Sequence, residues 1–113
     1  MSDGKEAGNY GVLAIELERK DDTMVVSLYG EADLFSAASL EDQLQRALGS
    51  DADRVIVDLS ALQFIDSISL RVLLKAALAS RQDSDRLCFL PGSPQVERVL
   101  EISGVRQQLR FLD

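Results

Sequence analysis

Val55-Ile56-Val57 followed by Asp58-Leu59 is a short, almost unbroken apolar run with stretches of helical period on either side. Such a run belongs to a strand covered on both faces, which a parallel sheet provides and a half-solvated antiparallel one does not. Upstream, Ala37, Leu40, Leu44, Ala47 and Leu48 fall on one helical face, with Ser36 as the expected N-cap and Gly49 as the residue past the end. Downstream, Leu70, Leu73, Leu74 and Ala77 repeat at the same spacing, predicting a helix over residues 67–80 capped by Ser67 or Asp66. A strand set between two helices requires right-handed crossovers into a largely parallel sheet.

The remaining elements follow from alternation and punctuation. Val12 to Glu18 alternates, Lys20-Asp21-Asp22 reads as a turn, and Met24 to Tyr29 is a second β-rich run, so the two predict a hairpin. Leu87-Cys88-Phe89-Leu90 predicts a strand after a polar loop over residues 81–86. Pro94 suits a first helical turn, and Val96, Val99, Leu100 and Ile102 predict a short helix stopped by Gly104. Leu109 to Leu112 predicts a closing strand. The first ten residues are polar, contain glycine and lack periodicity, so they predict a flexible arm over residues 1–10 ahead of one domain over 11–113.

Composition bounds the chemistry. A chain of 113 residues buries about 65% of its unfolded surface, enough for one core without disulfides or a structural metal. There is no His and a single Cys, which excludes Ser–His–Asp triads, Cys–His dyads, His metal sites and an internal disulfide. A net charge of −7, with 12 Lys plus Arg scattered among 19 Asp plus Glu, opposes a phosphate-tracking nucleic-acid surface. No apolar stretch reaches the ~20 residues that span a bilayer, and MSDGKEAGNY lacks the features of a signal peptide, so a cytoplasmic location is expected. Asp58 is expected to anchor a loop, Cys88 to pack in the core, and Asp83-Ser84-Asp85 to be a solvated loop rather than a calcium site.

In an open α/β sheet, ligands and partners meet the chain where strand C-termini face helix N-termini. The segment leaving the Val55 strand for the following helix, Leu59 to Leu70, is therefore the first candidate. The stretch VIVDLSALQFIDSISLRVLL, Val55 to Leu74, resembles the signature of STAS domains, and in particular of small stand-alone bacterial anti-sigma factor antagonists, in which a hydrophobic strand and D-L-S precede D-S-S-G-L. Gly30-Glu31-Ala32-Asp33 is similar to that family's G-E-L-D, and Ser93-Pro94 through Ser103-Gly104-Val105 to its closing S-P-x-V…S-G-L. The resemblance covers about residues 12 to 112 and implies an α/β fold of STAS type, a mixed, mostly parallel sheet with amphipathic helices packed on it.

Carried over by position, the resemblance implies a switch rather than an enzyme. The unphosphorylated domain binds an anti-sigma factor that is also a serine kinase and so frees a sigma factor. Phosphorylation of Ser67 releases the complex, and a serine phosphatase restores the hydroxyl. Asp33, Asp66, Ser67, Ile68 and Ser69 are the expected partner-binding residues, with Ser69 as a second hydroxyl for modification. The chain departs from the pattern at Ile68, where a small residue is usual, and at Ser69, where Gly is usual. Phe35 and Ile68 are the apolar residues nearest the expected site. No cofactor, metal or direct nucleic-acid contact is expected. The competing readings are a non-catalytic STAS scaffold or regulatory subunit of a stressosome-like or transporter complex, and a transfer enzyme using Ser67 as nucleophile, for which the sequence supplies no evident base.

Overall fold

The computed structural model describes residues 4–112. The hairpin forms where alternation predicts it. Strand β2, Leu13–Lys20, buries Leu13, Ile15 and Leu17 and pairs antiparallel with β3, Thr23–Ala32, which buries Val26, Leu28 and Ala32. Between them Asp21 takes φ 53, a left-handed conformation that Asp tolerates in tight turns. The apolar run becomes β4, Arg54–Asp58, parallel to β3 on one side and to β6, Leu87–Leu90, on the other. Helices α1, Ala37–Leu48, α2, Ser67–Asp83, and α3, Pro94–Ile102, complete the chain. The first two pack against each other, and their buried faces, Leu40, Leu44 and Ala47 with Leu70, Leu73 and Ala77, join the sheet residues in one core around Phe89.

Three expectations need correction. Residues 4–10 are not an arm: Gly4–Tyr10 form β1, an edge strand antiparallel to β2 with Gly4 opposite Arg19 and Tyr10 opposite Leu13. Backbone pairing makes this strand, and its largely exposed side chains leave no alternation for hydropathy to record. Residues 1–3 of the expected arm lie outside the described residues. The closing strand shrinks to one parallel bridge between Phe89 and Phe111, after a 3₁₀ turn at Arg106–Gln108. Phe111 is held by its ring packing 5.9 Å from Phe89 and by the Arg106 guanidinium 4.2 Å above it, so stacking replaces an extended ladder. Finally, α2 runs three residues beyond the expected end, into the segment read as a loop. Buried Ser80 stays in the helix, its Oγ accepting from the N–H groups of Arg86 and Leu87 at 3.1 Å each.

A strand absent from the expectation, β5 at Leu62–Ile65, matters most for function. It lies parallel to the end of β3, with Gly30 opposite Leu62 and Ala32 opposite Ile65, so β3 carries β4 along its first half and β5 along its second. Arg86 secures the opposite end of the domain. Its guanidinium donates to the carbonyls of Leu48, Ser50 and Ala52, satisfying acceptors left open where α1 ends.

Candidate functional site

Parallel strands β3 and β5 finish side by side, and the Asp66 N–H extends their ladder by donating to the Ala32 carbonyl at 3.0 Å. The next residue of each strand is therefore an aspartate, and both aspartates cap helical turns. Asp33 precedes a 3₁₀ turn, Leu34–Ser36, that leads into α1. Its Oδ1 accepts from the Phe35 N–H at 3.0 Å, and Ser36 Oγ returns the bond by accepting from the Asp33 N–H at 3.1 Å. Ser36, expected as a side-chain cap of α1, is the reciprocal half of this box instead and gives α1 no cap bond. Asp66 caps α2, its Oδ1 accepting from the Ser69 N–H at 2.8 Å.

Of the two cap candidates before α2, the cap is thus Asp66, and Ser67 occupies the first helical position. Its side chain is exposed and makes no hydrogen bond among the described residues. Ser69 departs further from expectation. It is fully buried, and its hydroxyl donates to the Asp33 carbonyl at 3.4 Å, so it joins the two caps from inside. The burial removes Ser69 from the partner surface and from the hydroxyls open to modification. Where the family pattern has glycine, this chain fits a serine by giving its hydroxyl a backbone acceptor.

Exposed apolar residues gather at the same end. Phe35 is 87% exposed, and Leu34, Phe64, Ile68 and Val12 are all at least 40% exposed. All five lie at the end where β3 and β5 finish. Val12 is joined to it through its carbonyl, which accepts from the Glu31 N–H at 3.0 Å. Single exposed apolar residues are ordinary, but several clustered at one strand end mark a contact surface. Phe35 and Ile68 thus face outward, whereas Phe64 escapes sequence reading because nothing separates an exposed strand Phe from a buried one. Asp58 and Cys88 match expectation: Asp58 Oδ1 accepts from the Ser60 N–H at 2.9 Å, and Cys88 is buried in β6. Among the described residues no group of three or more His, Cys, Asp or Glu is disposed to hold a metal ion, and no helix is long and apolar enough to cross a membrane.

Asp33→Ala should cost about 1 kcal/mol by removing the acceptor of the Phe35 N–H while leaving the sheet intact. Urea unfolding measures this; a loss several times larger would mean that Asp33 supports more than its own turn.

A mixed, mostly parallel sheet with amphipathic helices packed on it is the fold that the resemblance implies, and it is the fold observed. The family model described as STAS domain matches residues 14–112, and the chain belongs to this family. BtrV of Bordetella bronchiseptica, whose name places it among the anti-sigma factor antagonists, is 32% identical over 92 residues, covering 81% of this chain and 79% of that protein. The anti-sigma F factor antagonist of Paenibacillus polymyxa is 29% identical over 102 residues, 89% of this chain and 87% of the relative. In fold, the chain is similar to the anti-sigma factor antagonist SpoIIAA solved in its unphosphorylated form, with a TM-score of 0.71 at 23% identity over 88% of each chain.

Proposed function

We propose that this protein is a non-catalytic anti-sigma factor antagonist acting in the cytoplasm. Its unphosphorylated form binds an anti-sigma factor with serine kinase activity and frees a sigma factor, phosphorylation of Ser67 ends the complex, and a serine phosphatase resets it. The observation that carries the reading is the exposed, unbonded Ser67 hydroxyl at the first position of α2, at the end where exposed apolar residues gather. Support also comes from the names of the relatives that are 32% and 29% identical. Leu34, Phe35, Phe64 and Ile68 form the contact patch, and Asp33 and Asp66 shape its backbone. Ser67 has no hydrogen-bonded base among the described residues, which favours a substrate hydroxyl over a nucleophile.

The energetics require no refolding. A phosphate on the first turn of α2 meets the favourable end of the helix dipole, so the domain tolerates it. The surface changes instead: about 1.5 to 2 negative charges enter an apolar patch. A hundredfold loss of affinity needs only about 2.8 kcal/mol, within reach of desolvating a phosphate against a partner. Incubation with the kinase partner and ATP should add one phosphoryl group to the wild type and none to Ser67→Ala by intact mass. Ser67→Glu should fold normally and bind at least tenfold more weakly in calorimetric titration. Equal phosphate uptake by wild type and Ser67→Ala would overturn the assignment.

A further inference from the structure

We propose that Arg71 is the built-in counter-ion of phosphorylated Ser67, a proposal that rests on Ser67 being the phosphoacceptor. Ser67 and Arg71 lie four residues apart on α2 and are both exposed. Residues at that spacing are neighbours on a helix surface with Cβ atoms about 5 to 6 Å apart, and an anion ahead of the cation is the favourable order.

Arg71 is conspicuous for having nothing to hold. Among the described residues every Lys and Arg engages a carboxylate, carbonyl or hydroxyl except Arg54, Arg71 and Arg98. The two capping aspartates and the α1 glutamate that reaches α2 are committed elsewhere. The Asp66 carboxylate accepts from the Ser69 N–H, Asp33 from the Phe35 N–H, and Glu41 of the adjoining α1 takes Lys75 at 2.8 Å. The first turn of α2 contains no acidic residue. Arg71 is thus an exposed cation with no partner among the described residues, one turn after Ser67. A phosphoserine at residue 67 supplies that anion with three acceptor oxygens, and guanidinium matches phosphate geometry better than ammonium does.

The pair gives phosphorylation a second consequence. Besides adding charge, the modification draws Arg71 back over the first turn of α2. The phosphorylated state is then held by the domain's own helix and needs no outside ligand.

Phosphoserine incorporated at residue 67 during translation tests this without any kinase. The phosphate is titrated by 31P NMR in the otherwise wild-type protein and in Arg71→Gln and Arg71→Lys backgrounds. Asp33 and Asp66 face the same end and oppose phosphate ionisation equally in all three, so the differences isolate Arg71. The wild-type midpoint should lie about 0.15 to 0.4 pH unit below that of Arg71→Gln, with Arg71→Lys between them and the gap closing in high salt. Coincident titrations of wild type and Arg71→Gln would overturn the proposal. Because the phosphate is installed during translation, that failure is distinct from failure of the kinase to modify Ser67, which would remove the switch and leave the pair standing.

Discussion

Gly30→Ala is expected to destabilise the domain by about 3 kcal/mol or more and to disorganise the site along with the fold. Gly30 has φ +91, a region costly for a residue with a side chain. Space is the larger obstacle, because an added Cβ would lie 2.2 Å from the Val12 carbonyl oxygen. That oxygen accepts from the Glu31 N–H at 3.0 Å, and the β3–β5 register shifts between Gly30 and Glu31. The obstruction is backbone, so relief means moving the turn before β2 or the bulge that sets the course of β3 toward Asp33. Gly104→Ala is the matched control. Gly104 has φ +79 but open space around its Cβ position, so only the conformational cost, about 1 kcal/mol, should appear. Urea unfolding of both variants separates the contributions; equal small losses would show that the Val12 carbonyl yields easily and that the bulge is soft.

The G-E-x-D stretch was legible in sequence, but the reason for its glycine was not, since the close approach comes from the Val12 carbonyl in the turn before β2, eighteen residues upstream. Physical reach explains the other differences too. Strands β2 and β4 announce themselves because one face or both are buried. In β5 the two end residues, Leu62 and Ile65, are buried and the middle pair, Gln63 and Phe64, is exposed, an i, i+3 spacing that lacks the period of two of a strand and is too short to be read as a helix. Its existence depends on β3 being long enough to pair with two strands in succession. The cap of α2 was ambiguous because Asp and Ser cap equally well; extended backbone at Asp66, φ −95 and ψ 176, makes it the cap and moves Ser67 into the helix. The burial of Ser69 was readable from helix phase. Ser69, Leu73, Ala77 and Ser80 form one row along α2, all buried, so the position belongs to the core face even though its residue type points to the surface.

Phe35→Ala is expected to leave stability within about 0.5 kcal/mol of wild type, as for an exposed side chain with no supporting role. At the same time it should weaken binding of the anti-sigma partner by roughly thirtyfold, the equivalent of a 2 kcal/mol hot spot. The separation is possible because of how Phe35 is held. Its backbone N–H is fixed by Asp33 Oδ1 at 3.0 Å, whereas the residue as a whole is 87% exposed. The capping box thus pre-organises an aromatic side chain that the free domain does not use, and a partner pocket gains the ring without the cost of ordering its backbone. Ile102→Ala supplies the comparison, since Ile102 is 75% exposed but closes α3, outside the Ser67 patch. Calorimetric titration of the three proteins, with urea unfolding alongside, should show affinity falling for Phe35→Ala alone. Equal affinities would move the interface away from the ends of β3 and β5, and Ser67 phosphorylation would then have to act at a distance rather than by placing charge within the contact.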